Sequence, residues 1–222
     1  MHTIAREGQR ELSTQEQYTQ EDWIVLVSNG STQFATGMPQ WSDQLGPIGV
    51  CEASAIGLSV RKALRQIGVG AEREIGWIVS GLGCAQQTAY YALMAARLGT
   101  NLPEVTVDQR LNTPMIRRDS LGYPNPPSTE EFVGTATTAA AAVTAHHAQA
   151  GWIQRPDTTS AARVLVGFGH ADIWKGVITR LTSDGRVEDA LNMSLPATTV
   201  VVLHRVAGQP QYRWVDRIRS ED

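Results

Sequence analysis

Short apolar runs that end in small polar residues recur along this chain. A nearly continuous apolar run that stops at a turn is typical of a β-strand buried on both faces. The sequence therefore predicts buried strands at three such places. The runs and the residues that follow them are 23–27 (WIVLV) with Ser28-Asn29-Gly30, 75–79 (IGWIV) with Ser80-Gly81, and 162–168 (ARVLVGF) with Gly169-His170.

Segments of helical periodicity lie between these runs. Strands that alternate with helices indicate a largely parallel sheet covered on both faces, that is, an α/β fold built as a three-layer α/β/α sandwich. In such a sheet the ligand lies beyond the carboxyl ends of the strands, so the three polar strand ends should converge on one pocket. The predicted helices span 48–67, 85–98, 128–148 and 173–181; further strands are predicted at 104–107, 198–205 and 211–216, and a loop or lid at 113–127. Ser128 or Thr129, followed by Glu130 and Glu131, is predicted to cap the third helix.

Length and composition favour one soluble domain. The chain has 222 residues, of which 42% are apolar and 18% charged, and its formal net charge is −3. Residues 1–20 are polar and are interpreted as an N-terminal extension, and 21–222 as a single domain. No basic block is present, which argues against nucleic-acid and membrane partners. Two cysteines, Cys51 and Cys84, fit a reducing compartment, so we expect a cytoplasmic protein; the sequence leaves a homo-oligomer open.

Six short segments, in order, resemble motifs of the histidine phosphatase superfamily, in its phosphoglycerate mutase-like branch. Each is weak alone, but together they span roughly residues 23–213. The segments are LVSNGST (26–32), LGPIGVCEASAIG (45–57), SGLGCAQQTA (80–89), RLNT (110–113), PSTEEF (127–132) and VGFGHA (166–171).

The resemblance implies a phosphoglycerate mutase-like fold and also where this chain departs from the family. The position of the nucleophilic histidine holds Asn29, those of the two phosphate-binding arginines hold Ser28 and Cys84, and that of the acid holds Thr113. The family's second histidine is matched by His170. Because loss of a covalent nucleophile can cost about 10⁶ in rate, we expect no phosphohistidine phosphatase or mutase activity.

Three residues are candidates for catalysis. His170 could act as general acid or base near neutral pH, or could only hydrogen-bond its neighbours. Cys84 could form a thiolate nucleophile if it lies near His170, although a small apolar filler is the commoner role. Asp172 could orient the imidazole or act as an acid, but we favour the N-cap of a helix beginning at Ile173.

A wider group of polar residues could contact a ligand at the strand ends. It comprises Ser28, Asn29, Gly30, Ser31, Thr32 and Thr113. Arg117 and Arg118 in the predicted lid could restore an anion contact, or could be a solvated pair. His146 and His147 are adjacent on a helix and face different directions, and Cys51 is expected in the core. No motif for a cofactor or metal is present.

Three hypotheses follow for function. The first is a repurposed enzyme that binds and transforms a small organic molecule in the former phosphate pocket, with His170 as acid or base. The second is a non-catalytic pseudoenzyme that binds a ligand or a protein partner. The third is a phosphatase that works by direct attack of water and takes a cation from the lid.

Overall fold

A computed structural model describes most of the chain. The described residues are 19–33, 44–70, 74–98, 101–114, 117–118, 124–125, 127–155, 159–182, 192–196, 198–206 and 208–219.

Eleven strands lie within the described residues, and seven of them form one central sheet. The strands are β1 (Thr19–Ser28), β2 (Thr32–Gln33), β3 (Gln44–Leu45), β4 (Gly76–Ser80), β5 (Thr106–Asp108), β6 (Arg117–Arg118), β7 (Pro124–Asn125), β8 (Trp152–Gln154), β9 (Ser160–Gly169), β10 (Thr199–Val206) and β11 (Arg213–Arg219). The order in the sheet is β11-β10-β1-β9-β4-β5, and β8 pairs with the beginning of β9. Two two-residue pairs, β2 with β3 and β6 with β7, lie outside it.

The centre of the sheet is parallel and its margins are antiparallel. Strands β1, β9, β4 and β5 run parallel to one another, whereas β10, β11 and β8 are antiparallel to their neighbours. The carboxyl ends of the four parallel strands therefore meet at one edge. This is the sandwich with a mostly parallel centre that the alternation of strands and helices predicts.

Within the described ranges, four α-helices cover the two faces of the sheet: α1 (Pro47–Ile67), α2 (Gly83–Ala96), α3 (Thr129–Gln149) and α4 (Ala171–Thr182). Val25 and Val27 of β1 pack in one apolar cluster with α1 and α2, and Ile24 and Leu26 pack in a second cluster with α3 and α4. Successive side chains of a strand point to opposite faces, so a strand between two helical layers is apolar at every position. None of the helices in the described ranges is long and apolar enough to cross a membrane.

The predicted start of α3 is confirmed in detail. Ser128 is the N-cap; its side chain accepts a hydrogen bond from the backbone of Glu131, and the Glu131 carboxylate accepts one from the backbone of Ser128. This reciprocal capping box satisfies two backbone donors at the positive end of the helix.

Several predicted boundaries are corrected. Helix α4 begins at Ala171 rather than Ile173, so Asp172 lies within the first turn and the N-cap assignment is wrong. Strand β1 begins at Thr19, two residues inside the predicted N-terminal extension, whose residues 1–18 lie outside the described ranges. Helix α2 begins at Gly83, which puts Cys84 in its first turn. Cys51, expected in the core, is exposed on α1.

Candidate ligand site at the strand ends

The ends of β1 and β9 are joined directly. The backbone N–H of Asn29 donates to the carbonyl of Gly169 at 3.0 Å, which extends the parallel pairing of Ser28 with Gly169 by one residue. The indole of Trp174 on α4 donates to the carbonyl of Val27 at 2.8 Å and fixes the same strand end from the other side. The turn after β1 and the turn that holds His170 are therefore held as one unit.

Asn29 contacts Cys84, and both side chains are buried. The Asn29 amide nitrogen lies 3.6 Å from the Cys84 sulfur and 3.1 Å from the carbonyl of Gly30. Sulfur is a weak acceptor that forms long hydrogen bonds. The contact therefore orients the Asn29 amide but adds little to the stability of the fold. It joins the two positions at which the resemblance places a nucleophilic histidine and an arginine.

Gly30 is held against two helices. Its backbone N–H donates to the Thr88 hydroxyl at 3.1 Å, and that hydroxyl donates to the carbonyl of Cys84 at 2.8 Å. A Cβ at residue 30 would lie 2.7 Å from the carbonyl oxygen of Gly49, which is too close for any side chain. Close approach of α1 thus requires glycine here.

Ser28 is the last residue of β1 and is fully buried. Its hydroxyl has no hydrogen-bond partner in the part of the chain that the structure describes. Unpaired buried hydroxyls are costly and are normally satisfied by water or a ligand. Ser28 therefore remains a candidate contact for a ligand atom.

Ser31 and Thr32 belong to the rim of the site. Ser31 is exposed; its backbone N–H and its hydroxyl both donate to the Glu52 carboxylate on α1, at 2.6 and 3.1 Å. Thr32 pairs with Leu45 in the small β2–β3 ladder. Both residues are thus already engaged within the protein.

His170 lies between β9 and α4, with its side chain one-third exposed. The backbone N–H of Asp172 lies 3.4 Å from the imidazole Nδ1, so in the neutral ring Nδ1 accepts and the proton is on Nε2. Burial lowers the pKa of His170, and the charge of Lys175 lowers it further. The Asp172 carboxylate at 3.4 Å raises the pKa, but by less than burial lowers it. The imidazole is therefore neutral at pH 7.

Asp172 is shared between two cationic or potentially cationic groups. One of its oxygens lies 3.4 Å from Nδ1 of His170, and the other accepts a hydrogen bond from the Lys175 ammonium at 2.9 Å. The carboxylate is thus placed to stabilise the imidazole when the ring takes up a proton. The roles considered for Asp172 in the sequence, orienting the imidazole or acting as an acid, stay predictions.

Asn112 links the end of β4 to the segment that carries Thr113. Its amide oxygen accepts hydrogen bonds from the Ser80 hydroxyl at 2.9 Å and from the backbone of Gly81 at 2.7 Å. Thr113 itself is half-buried. Next to it lies an open cleft of about 640 Å³, whose lining comprises Gln109, Arg110, Asn112, Pro114, Glu131, Gly134, Thr135 and Thr138.

The structure thus brings together some of the predicted residues. Asn29, Gly30 and Cys84 are in contact, and Asn29 is bonded to the residue that precedes His170. The Cys84 side chain contacts Asn29, and the Cys–His pair stays a prediction. The side chains of Arg117 and Arg118, for which an anion contact was considered, lie outside the described residues.

Thr88, Glu52 and Asn112 complete the site and were not predicted. Asn112 lies in the RLNT segment and Thr88 in the SGLGCAQQTA segment, so position within a motif was the available signal. Glu52 lies in the LGPIGVCEASAIG segment, so the same signal was available for it. Within the described ranges no group of three or more His, Cys, Asp or Glu side chains is placed to hold a metal ion.

Comparison with known proteins gives a fold and no sequence relative. No family model matches the chain, and no curated protein matches it. Solved structures do match over nearly their whole length. The mycobacterial glucosyl-3-phosphoglycerate phosphatase has a TM-score of 0.63 and 16% identity, covering 87% of this chain and 97% of its own.

Two further structures agree. A mycobacterial protein called hydrolase 1 has a TM-score of 0.59 and 16% identity over 88% of this chain and 97% of its own. The protein histidine phosphatase SixA, solved with tungstate, has a TM-score of 0.52 and 12% identity over 89% of this chain and 97% of its own. The phosphoglycerate mutase-like architecture is therefore confirmed, and the chain has the fold of the histidine phosphatase superfamily.

Proposed function

We propose that this protein binds a small organic molecule at the carboxyl ends of β1, β4 and β9 and transforms it with His170 as acid or base. The observation that carries the proposal is the setting of His170. Its imidazole is neutral at pH 7, partly exposed, and oriented through Nδ1 by the first turn of α4. A ring held in this way can accept a proton at pH 7 and pass it on.

Phosphohistidine chemistry is not part of the proposal. The Asn29 amide cannot attack phosphorus, and its contact with Cys84 puts two residues that cannot be cations where the resemblance implies a histidine and an arginine. Each charged hydrogen bond to a phosphoryl oxygen is worth about 1.5–3 kcal/mol. Ser28 and Cys84 provide no such charge, which favours an uncharged or weakly charged ligand.

The first test is for an oxyanion site. Melting is measured with and without phosphate and vanadate, and hydrolysis of p-nitrophenyl phosphate is measured in parallel. We expect no shift and no turnover; a ligand at about 100 times its Kd would stabilise by about 2.7 kcal/mol and be readily seen. A clear shift would overturn this part of the proposal and favour the phosphatase that uses a water nucleophile.

Restoring the nucleophile alone should not restore activity. In Asn29→His the imidazole would lack the two cations that bind the phosphoryl group, so we expect p-nitrophenyl phosphate hydrolysis to stay at background. The matched variant carries Ser28→Arg and Cys84→Arg as well, and is the one in which phosphate should begin to shift the melting temperature. Hydrolysis by the single variant would show that a cationic pocket already exists.

The second test concerns His170 directly. A panel of uncharged metabolites is screened by thermal shift, and each molecule that binds is followed by NMR for consumption. We expect His170→Asn to abolish consumption and Asp172→Asn to weaken it, while both variants melt near the wild-type temperature. Full turnover by His170→Asn would exclude the proposed role.

The alternative is a pseudoenzyme, and the Asn29–Cys84 contact favours it. Asn29 donates to Cys84 at the positions where the resemblance implies a nucleophilic histidine and a phosphate-binding arginine. In that case molecules from the panel would bind without being consumed, and His170→Asn would change affinity alone.

A further inference from the structure

A shallow groove runs along the outer surface where α1 and α2 pack together. We call it the α1–α2 groove; its volume is about 480 Å³, and its lining comprises Ser54, Leu58 and Arg61 of α1 together with Tyr91, Met94, Ala95 and Arg97 from α2 and its end. The α1 residues are spaced at i, i+4 and i+7 and so form one stripe along the helix. None of the candidate residues at the strand ends lines this groove.

The floor of the groove is apolar and open to solvent. Leu58 is 59% exposed and Met94 is 52% exposed, and Tyr90 beside them is 53% exposed. Leu58 and Met94 line the same groove and so form a continuous apolar patch, unlike single apolar residues scattered over a surface. Such a patch marks an interaction site when its rim is polar.

The rim of the groove carries positive charge without compensation. Arg61 and Arg97 line it, and Lys62 and Arg65 lie beside Arg61 on α1. In the part of the chain that the structure describes, these four side chains have no carboxylate partner. Helix α2 contains no acidic residue, and the one acid of α1, Glu52, is bonded to Ser31.

We propose that the α1–α2 groove binds an acidic, amphipathic helix of a protein partner. Arg61 and Arg97 at the rim, with Lys62 and Arg65 next to Arg61 on α1, are complementary to a helix with carboxylates along its edges and apolar side chains on one face. Because the groove is recessed, it suits a convex partner such as a helix. A flat lipid surface would instead contact apolar side chains that protrude from the protein. The charge belongs to the groove in particular, because the whole chain has a formal net charge of −3.

The probe is a fluorescent peptide of about 20 residues, with leucine and phenylalanine at i, i+4 and i+7 and glutamate at the flanking positions. We expect its binding, followed by anisotropy, to weaken as salt is raised from about 0.05 to about 0.3 M, because the charges are exposed to solvent. We expect Arg61→Glu with Arg97→Glu to weaken binding at least about tenfold. Leu58→Gln with Met94→Gln should weaken it without changing the salt dependence.

Two controls separate this groove from charge in general. Arg213→Glu removes an exposed arginine on β11 and should bind the peptide as the wild type does. A peptide with lysine in place of glutamate should prefer the Arg61→Glu/Arg97→Glu variant. Equal binding of the peptide by all variants, or no binding by any, would overturn the proposal.

Other occupants give different results. Vesicles containing phosphatidylserine that bind the wild type, but not Arg61→Glu/Arg97→Glu, would overturn the proposal in favour of a lipid surface. A dimer in light scattering that the same variant dissociates would overturn it in favour of self-association. Neither result bears on His170, so this proposal and the proposed function fail independently.

Discussion

At the scale of single residues, Asp22 is a buried carboxylate at the opposite end of β1 from the candidate site. Its carboxylate is buried and accepts hydrogen bonds from Arg163 on β9, with Nε at 3.0 Å, and from Arg205 on β10, with Nη2 at 2.6 Å. The three residues are direct neighbours across the sheet, because Asp22 is paired with Arg163 on one side and with Arg205 on the other. The ion pairs thus set the register of the three central strands as well as neutralising charge.

We predict that Asp22→Asn is one of the most destabilising single substitutions in the protein. It leaves two guanidinium groups without their carboxylate in a mostly buried setting, and breaking a buried pair from one side typically costs about 3–5 kcal/mol. The measurement is urea unfolding of the variant against the wild type. Glu104→Gln, at an exposed carboxylate without a described partner, should change the free energy of unfolding by less than about 0.5 kcal/mol.

What the sequence predicts at this scale depends on whether a residue's partner is close by in sequence or in a motif. Ser128 and Glu131 were recognisable as a cap because the partners are three residues apart. The burial of Asp22 was not, because Arg163 and Arg205 are far along the chain and become neighbours only in the folded sheet. For the same reason the polar residues 19–20 were placed in the extension, although they form the beginning of β1.

At the scale of elements, the packing of α1 on α2 depends on a missing side chain. Gly57 is buried in the middle of α1, and a Cβ there would lie 2.1 Å from the carbonyl oxygen of Ala92 on α2. The two helices therefore approach more closely than helices that carry side chains at their contact. This contact also brings Leu58 and Arg61 beside Met94 and forms the groove described above.

Gly57→Ala should destabilise the protein even though alanine is the better helix former. The propensity gain of about 1 kcal/mol is outweighed by forcing the helices apart, so we expect a net loss of about 1–3 kcal/mol. Gly134→Ala on α3 is the matched control, because its Cβ would meet nothing within 4 Å. It should stabilise by about 0.5–1 kcal/mol, and the two changes in unfolding free energy should have opposite signs.

Elements built from apolar runs were predicted well, and those defined by tertiary contacts were not. The runs at 23–27, 75–79 and 162–168 correspond to β1, β4 and β9. They were predictable because a strand buried on both faces has apolar residues at consecutive positions. Strand β8 was missed because it has only three residues, which is too short to show an alternation of apolar and polar positions. Helix α4 starts before its predicted boundary because His170 caps it, and histidine is not a usual capping signal.

At the scale of the whole molecule, several titratable side chains are held in one charge state by burial. Burial lowers the pKa of His147, His170 and His204, so all three are neutral in the folded protein near pH 7. For Asp22, burial alone would raise the pKa, but hydrogen bonds from Arg205 and Arg163 outweigh it and hold the pKa below its usual range. Because the pKa of each of these groups is lower in the folded protein, folding releases protons in acid. The free energy of unfolding should therefore decrease as the pH falls.

His147 should account for a defined part of that fall. Its pKa is lowered to about 4 because the ring is buried, and because Arg163 and Arg205 lie near it; it donates to the carbonyl of Arg163 at 3.2 Å and is 3.8 Å from Asp22. Between its ordinary pKa of about 6.5 and about 4, only the unfolded chain binds this proton, so the free energy of unfolding decreases as the pH falls through this window. The full effect is about 3 kcal/mol, at about 1.4 kcal/mol per pH unit.

We therefore predict that unfolding in urea becomes easier from about pH 7 to about pH 4.5, and that His147→Gln reduces the slope. Glutamine can still donate a hydrogen bond to the carbonyl of Arg163 but cannot take up a proton, so the variant loses stability at pH 7 and approaches the wild type in acid. Calorimetry in buffers of different ionisation enthalpy should show about one proton fewer taken up on unfolding near pH 5. Parallel stability curves for the two proteins would mean that the pKa of His147 is the same in the folded and the unfolded chain, and would contradict the prediction.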